Sequence, residues 1–191
     1  MGMRRASVVA VVSLLMLTGF GASRAVAFVP GPTPTHEEFI AQLDSVCQPF
    51  VAPVNGAFGT YNSDLGQLVR SAKRTIRARK HGNAKAYKRS LRTFARAAIN
   101  TGNALTALSQ VEVSLIAQIN TLTPPAEGWI SSWVKHLGDG QSAAATAGAA
   151  ILRFDVRTFL DGIDQVASNK AAAHQDISGR GLQVCTALAI S

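Results

Sequence analysis

From Ala84 to Leu122, positions spaced alternately four and three residues apart are Tyr87, Leu91, Phe94, Ala98, Thr101, Leu105, Leu108, Glu112, Leu115, Ile119 and Leu122. A mostly apolar stripe at that period is one face of a helix. At 1.5 Å per residue such a helix runs roughly 58 Å. An apolar stripe that long must be covered along its length, and helices of similar length cover it best. The remaining chain supplies them. Two-residue alternation bounded by turn dipeptides is absent, so strands are not expected. Alanine is abundant and aromatics make up only 6% of the chain, which favours helices packed closely through small side chains. The expectation is an all-α, up-and-down bundle of four to five helices.

The N-terminus carries a different signal. Arg4 and Arg5 precede an apolar run from Ala6 to about Phe20, and Ala25-Val26-Ala27 follows. Charged start, apolar middle and small-x-small end make a secretory signal peptide over residues 1–27. An uncleaved anchor is the alternative, although the run is short for a membrane span of about 20 residues. Leu17-Thr18-Gly19-Phe20 has the form of a bacterial lipobox with Phe20 in place of the lipidated cysteine. A thioether needs sulfur, so that attachment is excluded. The mature chain is expected outside the cytoplasm, secreted or at the envelope exterior, with no transmembrane span. Residues 28–34, with three prolines and a glycine, read as an extended leader. The bundle domain is then 35–191.

Cys47 and Cys185 bracket almost all of that domain. Two cysteines in an exported chain imply a disulfide, with only one intramolecular pairing available. Two free buried thiols are the alternative. No C-x-x-C is present, so thiol–disulfide catalysis is not expected.

Along the domain, Thr35 and Glu38 have capping-box spacing ahead of a first helix with Phe39, Leu43 and Val46 on one face. Pro49 and Pro53 should kink or end it, with Asn55-Gly56 and Gly59 as a loose connection. A second helix is expected from about Ser63 to Lys80, ending at His81-Gly82-Asn83, and the third over 84–122, with Gly102 a place to bend it. Pro124-Pro125 stops that helix. Trp129, Ile130, Trp133, Val134 and Leu137 begin the next, in which Gly138-Asp139-Gly140 marks a kink or a break. The small residues 142–150 permit close helix contact. Ile151, Phe154, Phe159, Ile163 and Val166 continue the apolar signal, and Ser178-Gly179-Arg180-Gly181 turns the chain back toward Cys185.

Three local patterns resemble one group of proteins. Phe39-Ile40-Ala41-Gln42-Leu43-Asp44-Ser45-Val46-Cys47 is similar to the opening of small exported all-α proteins and lipoproteins of actinobacteria, with Leu43 where alanine is usual. Ile119-x-x-Leu122-x-Pro124-Pro125 resembles that group's mid-chain helix end, and Gly181-Leu182-x-x-Cys185 its closing motif. The resemblance implies a disulfide-closed helical bundle outside the cell membrane. The group is largely uncharacterised, so no catalytic residue comes with it. Phe20 departs from the lipoprotein members.

Charge is the unusual surface feature. Arg70, Lys73, Arg74, Arg77, Arg79, Lys80, Lys85, Lys88, Arg89, Arg92 and Arg96 crowd one helix hairpin, and no acidic residue occurs over 65–111. These eleven are the candidate polyanion-binding residues. The bland alternative is a solvated hairpin tip. Lipid headgroups and wall phosphate polymers are the expected anionic envelope partners. Nucleic acid is not expected, because Tyr87 and Phe94 are the only nearby aromatics and both fall on the core seam.

Catalytic motifs are missing. His36, His81, His136 and His174 form no ligand spacing, and neither a nucleophile elbow nor a phosphate loop is present. The chain is read as a non-enzyme with no metal and no cofactor, and the pattern sets no oligomeric state. A second reading is a carrier of an apolar small molecule lined by Trp129, Trp133, Phe154 and Phe159. Trp129 and Trp133 otherwise read as core anchors. Glu112 falls on the apolar seam. A paired or neutral carboxyl is one reading; escape to solvent, with Val111 replacing it, is the preferred one.

Overall fold

The computed structural model describes residues 33–125 and 127–190. The expected signal peptide, and all but the last two residues of the expected leader, lie outside them. Among the described residues the chain is helical with no strand: α1 His36–Cys47, a 3-10 turn Gln48–Phe50, α2 Val51–Lys80, α3 Ala84–Ile119, α4 Gly128–Leu152, α5 Val156–Ile177 and α6 Val184–Ile190. Helices α2 to α5 run up and down in succession, and α1 and α6 close one end. The all-α bundle read from the periodicity is the fold.

Local chemistry explains the starts. Thr35 Oγ1 accepts a hydrogen bond from the Glu38 amide at 3.3 Å, while the Thr35 amide donates to Glu38 Oε2 at 2.9 Å, completing the expected capping box. Asn83 Oδ1 accepts from the Ala86 amide at 2.9 Å to start α3. Asp155 does the same for α5, accepting from the Thr158 amide at 3.1 Å.

Several expected breaks are not breaks. α2 begins at Val51 and runs straight through Pro53, Asn55, Gly56 and Gly59. Pro53 sits in the first turn, where a missing amide hydrogen costs nothing. A glycine in a helix costs about 1 kcal/mol, and burial of Val54 and Tyr61 on either side offsets it. α4 likewise passes unbroken through Gly138-Asp139-Gly140. α3 passes unbroken through Gly102. A Cβ there would stand 2.8 Å from Leu152 Cγ and 3.0 Å from the Gly148 oxygen, so the bare glycines let α3 and α4 touch. Gly162 does this for α5, where a Cβ would meet that of Ala147 at 2.9 Å. The small-residue run of α4 buries Ala143, Ala144, Ala147, Gly148 and Ala150 in these contacts, as its composition implied.

One real break was missed. Between α4 and α5 the chain reverses at Arg153-Phe154-Asp155. The Phe154 amide donates to the Ile151 oxygen and the Asp155 amide to the Ala150 oxygen, each at 3.0 Å. That is a Schellman cap, whose C′ position needs a left-handed backbone and usually carries glycine. Here it carries Phe154, with φ at 59°.

The core divides along the bundle. At the closed end Phe39, Leu43, Leu108, Leu115, Ile119, Trp129, Trp133, Ile177 and Leu188 pack around the cysteines. Cys47 and Cys185 are disulfide-bonded, with Cα atoms 5.3 Å apart and 138 residues between them in sequence. Further along, Tyr61, Leu68, Ala98, Leu105, Ala147, Ile151 and Phe159 form a second cluster. Beyond it the core stops. α2 buries nothing after Ser71 and α3 nothing before Ala97.

Candidate functional site

That unburied stretch, 72–96, holds ten of the eleven basic residues, and Arg70 lies just before it. The α4–α5 turn reaches α3 at Phe94, whose ring centroid is 6.2 Å from that of Phe154. α3 continues ten residues past that contact to Ala84, roughly 15 Å at helical rise. Only α2 runs beside it. The two helices therefore extend past the rest of the bundle as an arm, turned at Gly82 with φ at 65°. Arg70, Lys73, Arg74, Arg77, Arg79, Lys80, Lys85, Lys88, Arg89, Arg92 and Arg96 are all exposed. Among the described residues none makes an ion pair; the pairs are His36–Glu127, Lys135–Asp139 and His136–Asp176. A groove of about 260 Å³ runs between the two arm helices, lined by Ser71, Arg74, Ala78, Ala86, Arg89, Ser90 and Thr93. The three hydroxyls donate back to carbonyls of their own helices. The charged donors at the groove are thus Arg74 and Arg89, one from each helix.

The seam expected to be core is only partly so. From Ala98 through Leu108 every seam residue is buried, but Tyr87 and Phe94 are half-buried and Leu91 is 39% exposed. The reason is length: α4 ends at Leu152, level with Gly102, so the stripe outruns its partner.

Glu112 does not escape to solvent. Its Oε2 is buried without a described hydrogen-bond partner. Burial raises its pKa above the ordinary carboxylate value, and the nearby Lys170 charge partly offsets this. Lys170 Nζ is also buried without a hydrogen bond, 4.2 Å from the centroid of the Phe58 ring. Burial lowers its pKa, and Glu112 opposes that shift. Both line a cavity of about 30 Å³, together with Trp133, Leu115, Ala173 and Cys185. That volume suits one or two waters, not an apolar ligand. Nor do the four proposed lining residues meet. Trp129 and Trp133 belong to the closed-end core, Phe159 to the second cluster, and Phe154 is 48% exposed. The two tryptophans are core anchors.

Sequence reasoning missed Asp44. Its carboxylate accepts from the amides of Gln183 and Val184 at 2.9 Å and of Cys185 at 3.0 Å. It caps α6 from α1 and positions the second cysteine. A partner some 140 residues away leaves no local trace. Glu127 ties the α3–α4 connection in the same manner, accepting from the Trp129 indole and bonding His36 Nδ1 at 2.8 Å. These contacts, the indole first, hold its carboxyl below the usual range.

Among the described residues no group of three or more His, Cys, Asp or Glu could hold a metal ion. Among the described residues no helix is long and apolar enough to cross a membrane. The chain matches no family model, no curated protein and no solved structure.

Proposed function

We propose that this is an exported, non-enzymatic binding protein that docks on a phosphate-bearing anionic component of the cell envelope through the α2–α3 arm. One observation carries the reading: eleven exposed cations on the α2–α3 hairpin, most of them on the part that projects as an arm, with no described carboxylate paired to any of them. Like charges at i and i+4 oppose helix formation by about 0.2–0.5 kcal/mol per pair, and Arg70–Arg74, Lys73–Arg77, Lys85–Arg89, Lys88–Arg92 and Arg92–Arg96 all have that spacing. An anionic partner turns this cost into attraction by releasing counterions. Arg74 and Arg89, facing one groove from two helices, give the arm a place to hold a phosphate by paired guanidinium donors. Export is supported by the signal-like N-terminus and by the disulfide, a bond that persists in oxidising compartments.

The test is a salt titration with inorganic polyphosphate as probe. Affinity should fall steeply between about 50 and 200 mM salt. The variant R74Q/R77Q/K85Q/R89Q should bind weakly and show a shallower salt slope. Equal binding by that variant and the parent protein would overturn the assignment.

A further inference from the structure

We propose that the anionic partner is a lipid bilayer, and that the apolar α4–α5 turn beside the arm enters the acyl region while the arm holds the headgroups. This rests on the polyanion reading above and narrows it. A wall polymer offers phosphate but no apolar phase, so apolar contact separates the two.

The first observation is Phe154. The Schellman position it occupies needs a left-handed backbone, which glycine adopts freely and a bulky L-residue does not. Burial does not explain the choice, because the side chain leans on Phe94 and yet remains 48% exposed. An unfavourable backbone carrying a ring half in solvent is an outlier that points toward use. The second observation is its surroundings. Val156 is 49% and Leu160 is 55% exposed, one turn apart on α5 directly after Phe154. Leu91, on the part of the α3 seam that α4 does not cover, continues the apolar surface beyond Phe94. Scattered exposed apolar residues are ordinary. Here they cluster at the one end of the bundle that also carries the cations.

The third observation is charge around the turn. Arg153 and Arg157 flank it, both exposed. Asp155 is engaged as the α5 cap by the Thr158 amide and hydroxyl. Asp161 and Asp164 lie one to two turns further along α5, away from the tip. The one carboxylate at the turn, Asp155, is kept ionised by those hydrogen bonds and stands between the two arginines, so the turn carries a net positive charge. A flat surface resting on both the arm tip and the α4–α5 turn would meet cations at one contact and Phe154 with its neighbours at the other. Cationic and apolar residues side by side are what interfacial binding to anionic lipid requires. A second copy of the chain is disfavoured as the occupant, because it would bring two such arms together.

The experiment compares phosphatidylglycerol-containing vesicles, phosphatidylcholine vesicles and inorganic polyphosphate, using F154G, V156S/L160S and F154W. Glycine suits the cap backbone, so F154G should melt within a few degrees of the parent protein. The expected result is that F154G and V156S/L160S bind polyphosphate as the parent does but bind anionic vesicles at least about tenfold more weakly. F154W should add a fluorescence component, absent from the parent, that bromine-labelled acyl chains quench. Unchanged vesicle affinity in both apolar variants, or an unquenched F154W, with polyphosphate binding intact, would overturn the bilayer and favour a polymer. Failure of the parent protein to bind either anionic probe would instead overturn the underlying polyanion reading.

Discussion

The two ends of the bundle are built on opposite terms. The closed end is cross-linked. The disulfide joins α1 to α6, Asp44 holds the start of α6, and Glu127 fixes the approach to α4. Leu43, Cys47, Cys185 and Trp133 are essentially sealed from water there. At the arm end, past the Phe94–Phe154 contact, α2 and α3 have only each other, no residue from 72 to 96 is buried, and like charges crowd together. The difference teaches where stability is generated and where it is given up. A surface held apart from the core in this way is suited to meeting something outside the molecule.

The contrast can be broken at the closed end first. Replacing both cysteines, C47S/C185S, should cost about 4 kcal/mol, because the bond closes a loop of 138 residues. Urea denaturation measures it, and a loss below about 1 kcal/mol would show that the clasp is not what holds this end. The buried Glu112–Lys170 couple comes next. E112L alone leaves Lys170 without its counter-charge and should cost about 2–3 kcal/mol, whereas E112L/K170M should recover most of that. A double variant no better than the single would show that the two charges do not act on one another. The pH sign also follows. The folded Glu112 carboxyl titrates above its unfolded value. Between those two values the folded state holds the extra proton, so stability falls as pH rises through that window. E112Q should flatten that fall.

Asp44 is a smaller lever. D44A removes three charge-assisted hydrogen bonds to the α6 amides, worth about 2 kcal/mol together. It should also speed reduction of the disulfide. The arm is the smallest, and of opposite sign. R74Q/R77Q/K85Q/R89Q relieves three like-charge i, i+4 pairs and should gain up to about 1 kcal/mol at low salt. A variant that folds better while binding polyphosphate more weakly would separate stability from the proposed docking role. Thermal melts at two salt concentrations check the gain.

How much of this was legible depended on distance along the chain. The capping box at Thr35 and Glu38, the α3 stripe and the glycine turn at Gly179 and Gly181 are local patterns, and each is where the residues implied. The disulfide followed from the count of cysteines. The α4–α5 reversal was hidden because Phe154 occupies a position that glycine normally marks. Gly56, Gly59, Gly138 and Gly140 looked like breaks, yet tertiary packing carries the helices through them. The eleven basic residues could be counted in advance. That most of them stand on an arm could not, because this depends on α4 ending level with Gly102 while α3 continues. Asp44 and Lys170 find their partners across the fold, and periodicity is silent about such pairs.

Hydrogen exchange with and without phosphatidylglycerol vesicles tests the central claim most directly. Free in solution, amides over 72–96 should exchange faster than those near Cys47, Leu108 and Trp133. Vesicles should slow exchange over 72–96 and at the turn through Leu160, and leave the closed end unchanged. Protection appearing at the closed end, or none appearing on the arm, would contradict the account.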